Sequence, residues 1–161
     1  MFNIGDKIVY PNQGVGVIDV IEEKAFKDTM LQYYKIHLIN STMKLMLPST
    51  RLEDSNIRLA SDSSSLDNTL NNINDFISKN DSLDAKERIK LNTQKLQSGT
   101  LADYAEIISN LTSANKEHAL NASEKQILTN AKKILIDEIS LTKNITNLEA
   151  TNLLDSSLEL I

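Results

Sequence analysis

Residues 2–24, FNIGDKIVYPNQGVGVIDVIEEK, decide the fold of the first part of the chain. Within this stretch, residues 7–10 and 16–21 are runs of β-branched and aromatic residues, which favour strands. Glycine and proline stand between the runs and mark turns. Similar runs follow at residues 33–39 and 44–47. About four or five short strands this close together favour a small β-barrel that is closed or strongly bent.

The sequence changes character near residue 60. Both prolines and every glycine except Gly99 lie before this point, and long stretches without these residues favour helices. The serine-rich residues 61–65 are either a linker or the cap of a first helix. We therefore expect two domains, residues 1–60 and residues 61–161, and an α+β fold.

Apolar residues at helical spacing predict a bundle of about five helices in the second domain. The first helix is expected to carry the apolar stripe Leu66, Leu70, Ile73 and Ile77. Asp81 or Ser82 is the expected cap of the second helix, which carries Leu83 and which Gly99 would end. The expected caps of the remaining helices are Thr100, Asn121 and Thr146, each followed three positions later by an acidic residue.

The composition is that of a globular protein, with 40% hydrophobic and 24% charged residues. Cysteine is absent, which excludes disulfides and thiolate metal sites. The N-terminus lacks the pattern of a signal peptide, and no apolar run is long enough to cross a bilayer. We therefore expect a cytoplasmic protein with no membrane partner.

Residues that could support catalysis or hold a cofactor are scarce. The two histidines, His37 and His118, have no second ligand at metal-binding spacing. Residues 14–16 contain two glycines but lack the third glycine and the helix of a dinucleotide-binding loop. The acidic pair Asp137 and Glu138 is interpreted as part of a solvated helix face without a role. We predict that the protein is not an enzyme and uses no metal, cofactor or small-molecule substrate.

One segment departs from the acidic background of a chain whose net charge is −5. Residues 86–95 carry a single acidic residue, Glu87, and a cluster of basic residues: Lys86, Arg88, Lys90 and Lys95. The rest of the second domain is strongly acidic, so this cluster is the one surface there expected to meet DNA phosphates. An ordinary solvated helix face remains the alternative interpretation.

Residues 43–48, MKLMLP, form a short strand-like run with apolar residues on both faces. Such a run is either a strand that is buried on both faces or an edge strand that pairs with a partner protein. Pro48 at its end fits a strand terminus or an edge strand. The sequence leaves both interpretations open.

The opening of the chain resembles the start of the CarD/CdnL family of bacterial transcription regulators, and also the polymerase-binding module of transcription-repair coupling factors. The shared pattern is aromatic-x-x-Gly-Asp at residues 2–6, Val-Tyr-Pro at residues 9–11 and Gly-x-Gly at residues 14–16. Residues 98–111 and 120–138 resemble the helical part of the same family. The resemblance spans nearly the whole chain, which favours the stand-alone regulator over the repair helicase.

The resemblance implies that the first domain is a Tudor-like barrel that docks on the β subunit of RNA polymerase, in part by strand pairing. The implied polymerase-binding residues are Lys24, Met43, Lys44, Leu45, Met46, Leu47 and Pro48. An arginine is common in this strand of the family, and Met46 stands in its place. A monomer is expected.

The resemblance also implies that the helical domain touches promoter DNA at the upstream edge of the melted region and stabilises the open complex. The implied DNA-binding residues, together with the basic cluster, are Ala85, Lys86, Arg88, Lys90 and Lys95. The family's tryptophan wedge falls at Ala85, and the chain contains no tryptophan. We therefore expect contacts to phosphates to dominate. The alternative is a polymerase-binding adaptor whose helical domain recruits a protein and not DNA.

Overall fold

The computed structural model describes residues 1–78, 83–159 and 161. The first part of the chain forms an antiparallel sheet of β1 (Lys7–Tyr10), β2 (Gly14–Phe26), β3 (Thr29–Leu38), β4 (Lys44–Pro48) and β5 (Arg58–Leu59). The strand order is β4-β3-β2-β1-β5, so β4 and β5 lie at the two edges. The strands fall where the β-branched runs predicted them, with β2 and β3 longer than expected.

The sheet bends at a bulge and packs one face over an apolar core. The bulge lies in β2, where the register against β3 shifts between Ile18 and Val20, and a bulge bends the strand that carries it. Within the described ranges no ladder joins β4 to β5, so the sheet is bent and open, not closed. Its buried core residues are Ile8, Ile18, Tyr34, Ile36, Leu38 and Leu47.

Helices follow the sheet, which confirms the α+β class. A short helix α1 (Leu52–Ser55) precedes β5. After β5 come α2 (Ser63–Asn71), α3 (Ala85–Ser98), α4 (Leu101–Glu117), α5 (Ala122–Lys143) and α6 (Asn147–Leu158). Two 3₁₀ turns, Ser49–Arg51 and Ile73–Phe76, complete the described elements. Among the described helices, none is long and apolar enough to cross a membrane.

The side-chain caps explain where the later helices begin. Thr100 forms a full capping box at the start of α4, as predicted. Asn121 and Thr146 each accept the hydrogen bond that caps α5 and α6, also as predicted. The expected caps of α3, Asp81 and Ser82, lie outside the described residues. The observed cap of α3 is Asp84, which accepts from Glu87 N at 2.8 Å, so Leu83 precedes this helix instead of belonging to it.

The prediction of one helix that runs from Leu66 to Ile77 was wrong. Helix α2 ends at Asn71, and the chain then tightens into the 3₁₀ turn Ile73–Phe76. Asn72 explains the end, because its side-chain amide donates to Asn68 O at 2.8 Å and so competes for the backbone. Ile73 is nevertheless fully buried, so the apolar spacing predicted burial correctly although the helix stops earlier.

The sheet and the helices share one interface, which α5 forms against β1 and β2. Val9 and Val15 of the sheet are buried in the same apolar cluster as the stripe of α5. Across this interface Asn40 Nδ2 donates to Asp137 Oδ1 at 2.6 Å, and burial raises the pKa of the Asp137 carboxyl. Asp137 and Glu138 are both buried, so the interpretation of this pair as solvated residues without a role was wrong.

Replacing Gly99 with alanine should destabilise the protein more than replacing Gly5. Both residues have positive φ, 67° and 90°, so either alanine strains the backbone. At Gly99 the new Cβ would also overlap Pro11 Cγ and lie 2.9 Å from Tyr104 Oη, whereas at Gly5 no described atom lies within 4 Å. We expect urea unfolding to show losses of about 3 kcal/mol for Gly99→Ala and about 1 kcal/mol for Gly5→Ala. Equal losses would mean that the end of α3 moves away from the sheet without cost.

Candidate protein and nucleic-acid interfaces

The strand β4 is an edge strand with one free side. It pairs with β3 through the register Lys35↔Met46 and Ile36↔Leu45, and no strand of the described ranges covers its other side. Leu47 is buried and Leu45 is half-buried, while Met46 is 45% exposed. Of the two interpretations that the sequence left open, the edge strand is therefore correct. Its free N–H and C=O groups can pair with a strand of another protein.

Lys24 lies beside this edge, although it is distant from it in sequence. Its Nζ is 3.8 Å from Met46 Sδ and 6.0 Å from the centroid of the Tyr33 ring. The long strand β2 carries Lys24 past the bulge, and β3 places Tyr33 and Pro48 opposite each other. The structure thus brings Lys24 and the predicted strand together. Met43 and Lys44 are exposed at the start of the strand.

The charges around this edge are mostly positive. Lys35 makes an ion pair with Glu22 at 2.8 Å, and its hydrogen bond lowers the pKa of the Glu22 carboxyl. Lys24 reaches the same carboxylate only at 3.9 Å. Lys24, Lys35 and Lys44 outnumber Glu22 here, so the edge suits a partner surface that carries carboxylates.

The predicted DNA-binding cluster of α3 divides into two groups. Ala85, Lys86 and Lys90 are exposed near the start of the helix. Arg88 turns towards the protein, where its Nε is 3.1 Å from Glu124 Oε1 and its Nη1 donates to Leu83 O.

Lys95 also has an internal partner, with its Nζ 2.7 Å from Glu106 Oε2 and only 19% of its side chain exposed. The DNA contacts expected of Arg88 and Lys95 stay a prediction, since the structure shows only that each side chain has a carboxylate partner within the protein. Both serve ion pairs inside the helical part, because α4 and α5 bring acidic partners that are remote in sequence.

The exposed surface of α5 is basic, which the charge count along the sequence did not indicate. The three carboxylates of this helix do not share that surface, since Glu124, Asp137 and Glu138 are all buried. Lys125 and Lys133 are exposed and Lys132 is half-exposed. Sequence reasoning missed these lysines because it counted every carboxylate as part of the surface.

The ion pair between Arg88 and Glu124 joins the first turn of α3 to the first turn of α5. Lys125 follows Glu124 in the chain, so it lies at the same end of the helical part as Lys86 and Lys90. The amino ends of α3 and α5 also lie here, but Asp84 and Asn121 already cap them, so the exposed lysines are the groups that can meet anions. This arrangement can bind phosphates without base-specific contacts.

Groups that could hold a metal ion do not come together in the described ranges. No set of three histidine, cysteine, aspartate or glutamate side chains there is placed to hold a metal ion. His37 lies on β3, and His118 is the C-cap residue of α4. The two interfaces above are therefore the features on which a functional argument can rest.

Comparisons with known proteins agree over most of the chain. Residues 2–60 match the family described as "CarD-like/TRCF RID domain", and residues 72–155 match "CarD, C-terminal domain". The chain is also 42% identical over 146 residues to a Bacillus subtilis (strain 168) protein named "Putative transcription factor YdeB". That alignment covers 91% of this chain and 95% of the relative.

Arg88 and Lys90, two positions apart on α3, should differ in their effect on stability. Arg88→Ala leaves the buried Glu124 carboxylate without its cation, and we expect a loss of about 2 kcal/mol, moderated by the partial exposure of Arg88. Lys90→Ala removes an exposed side chain and should change stability by less than about 0.5 kcal/mol. Urea unfolding at pH 7 measures both. If Arg88→Ala is as stable as the wild type, the ion pair contributes nothing to stability and Arg88 behaves as a surface cation like Lys90.

Proposed function

The chain belongs to the CarD family of transcription factors, and on that premise we propose a two-part mode of action. The Tudor-like sheet binds the β subunit of RNA polymerase through its edge, and the helical part contacts promoter DNA and stabilises the open complex. The observation that carries the proposal is the free side of β4 with Lys24 beside it. An edge strand left uncovered invites aggregation unless a partner uses it.

Strand addition supplies affinity through the main chain, and the neighbouring side chains supply specificity. Met46 offers an apolar contact where much of the family has arginine, and Lys24, held 3.8 Å from its sulfur, supplies a positive charge at the same place. We infer that Lys24 compensates in part for the charge that Met46 lacks. The partner strand should therefore be flanked by carboxylates.

Contacts to DNA rest on the exposed lysines at the common end of α3 and α5. Lys86, Lys90 and Lys125 can each neutralise a phosphate, which makes binding weak, sequence-independent and sensitive to salt. The net charge of −5 opposes tight binding by the free protein. Attachment to polymerase raises the local concentration of promoter DNA, so that weak contacts suffice. Ala85 is exposed at this end, but one methyl group is too small to hold an unstacked base step open.

A second candidate function is an adaptor that binds polymerase and whose helical domain recruits a protein and not DNA. The observation in its favour is that Arg88 and Lys95 are occupied by internal ion pairs, which reduces the cationic surface of α3. Exposed acidic residues on α2 and α6, such as Asp67 and Asp155, add to this argument. Gel-shift titration against salt, with and without polymerase, separates the two functions.

Proline substituted at Leu45 and, separately, at Met46 tests the strand pairing. Successive backbone N–H groups of a strand point to opposite edges, so one proline removes a donor from the free side and the other removes a donor from the β3 ladder. The variant whose proline removes an N–H group on the free side is called the free-side variant, and the other is called the ladder variant. The free-side variant should keep its melting temperature and lose affinity for polymerase by about tenfold or more. The ladder variant should melt earlier.

The affinity of the full chain for core polymerase is measured by interferometry, with Met46→Leu as the control that keeps the N–H group. A folded free-side variant with undiminished affinity would contradict strand pairing. The full chain is used because Val9 and Val15 are buried against the helices, and a fragment of residues 1–60 would expose them.

Reversing the charge of Lys86 and Lys90 together, and of Lys125 alone, tests the DNA surface. The free wild-type protein should bind duplex DNA with a dissociation constant of about 10⁻⁴ to 10⁻⁶ M. Each glutamate variant should bind more weakly and show a flatter dependence on salt, since fewer counterions are released. Open complexes formed with these variants should decay faster, while their affinity for polymerase stays unchanged.

The control for the charge reversals is Lys27→Glu, which makes the same change of charge at the exposed tip of the β2–β3 hairpin. It should leave the binding of free DNA close to that of the wild type. If Lys86, Lys90 and Lys125 can all be reversed with no effect on open-complex lifetime, the adaptor becomes the better description.

A further inference from the structure

Arg58, on the edge strand β5, joins the sheet to three helices. Its Nη1 and Nη2 donate to the two carboxylate oxygens of Glu138 on α5, both at 2.8 Å. Its Nε donates to Gly99 O, at the end of α3, at 2.7 Å. Its guanidinium also lies 6.0 Å from the ring of Tyr104 on α4. A single side chain on the sheet thus contacts α4, α5 and the end of α3.

The acceptor of this contact is deeply buried. The Glu138 side chain has no exposed surface, and it accepts a further hydrogen bond from Ser61 N at 2.7 Å. The Arg58 side chain is 21% exposed, and each nitrogen of its guanidinium group donates a hydrogen bond. Paired hydrogen bonds between a planar guanidinium and a carboxylate define an orientation as well as a distance.

Other contacts across the interface hold α5 at single points. Lys7 Nζ donates to Leu141 O at 3.2 Å, and Thr142 Oγ1 donates to Ser61 O at 2.9 Å. The last turn of α3 has a second tie, because Asn56 Nδ2 donates to Gln97 O at 2.9 Å. The sheet region therefore contacts α3 at the carboxyl end of the helix, whereas the exposed Lys86 and Lys90 lie near its amino end.

We propose that Arg58 and Glu138 are positioning residues, which aim α3 so that its lysines reach DNA when the sheet is bound to polymerase. This inference rests on the proposed function. Arg88 and Glu124 tie the amino end of α3 to α5, so α3 turns together with the helical part. Its 14 residues span about 21 Å, so a rotation of that part by about 10° about the clamped end would move Lys86 by about 4 Å. A movement of this size exceeds the length of a phosphate contact.

A buried ion pair suits this purpose better than it suits stabilisation. Removing two charges from water costs about as much as their attraction returns, so an apolar pair of similar volume is often equally stable. What an apolar pair lacks is direction, since dispersion contacts allow sliding and rotation. The pair is therefore expected to contribute more to the orientation of the helical part than to the free energy of unfolding.

The test separates orientation from stability with two variants of the full chain. Arg58→Lys keeps the charge but cannot make the paired hydrogen bonds and reach Gly99 O together. The double variant Arg58→Met and Glu138→Met removes both charges and keeps an apolar contact. The control is Lys143→Met, which breaks an ion pair at 2.6 Å between α5 and Asp67 of α2, within the helical part.

Orientation is measured as the distance between two spin labels by double electron–electron resonance. Labels can be attached at two introduced cysteines because the chain has no native cysteine. Lys44→Cys on β4 and Glu87→Cys near the amino end of α3, where a tilt moves the helix most, carry the labels, and both positions are exposed. The wild type and the Lys143→Met control should give one narrow distance distribution, and the two clamp variants should give a broader one. Their melting temperatures verify that the variants are folded.

The functional readouts are affinity for polymerase and open-complex lifetime, measured without labels. Both clamp variants should bind polymerase as the wild type does and shorten the lifetime about threefold, as expected for the loss of one weak polar contact. A narrow distance distribution in a folded clamp variant would overturn the proposal, whatever happens to transcription. Should the wild type itself not lengthen the lifetime, the proposed function fails, while the distance measurement still decides whether Arg58 and Glu138 set the orientation.

Discussion

The carboxylate of Glu138 is the constraint on which the rest of the structure depends. It lies on α5, which packs against both the sheet and other helices, and its side chain has no exposed surface. A buried charge must find a cation and hydrogen-bond donors. Arg58 and Ser61 N supply them, and both belong to the segment where the chain leaves the sheet. Satisfying this one group therefore ties α5 to the segment that leaves the sheet.

The same helix determines the distribution of charge on the surface. Because Glu124, Asp137 and Glu138 all face inward, the acidic residues of α5 are absent from its exposed side, where lysines remain. An acidic chain can thus carry a local cationic surface without changing its net charge. Arg88 contributes to this arrangement indirectly, by neutralising Glu124 and holding the first turns of α3 and α5 together. Replacing Arg88 would disturb the cationic surface, because this ion pair would no longer hold the first turns of α3 and α5 together.

In the sheet, the edge strand β4 has a free side that no strand of the described ranges covers. Edge strands expose unpaired backbone groups, and most proteins cover or charge them. Here β4 has a core-facing Leu47, an exposed Met46 and the nearby ammonium group of Lys24. The positive charges around the edge disfavour pairing between two copies of the chain and favour a partner that carries carboxylates. This combination is the one on which the proposed binding to polymerase rests.

The sequence by itself determined the α+β class, the positions of the strands, the caps at Thr100, Asn121 and Thr146, and the family, because these depend on local spacing and on residues close together in the chain. Only the tertiary structure decided that β4 is an edge strand. It also decided that Arg88 and Lys95 serve internal ion pairs and that Glu138 is buried. The reason is physical: whether a charge meets water or a partner depends on contacts between residues tens of positions apart. Arg58 and Glu138 are 80 residues apart in sequence, and no local pattern indicates that they meet.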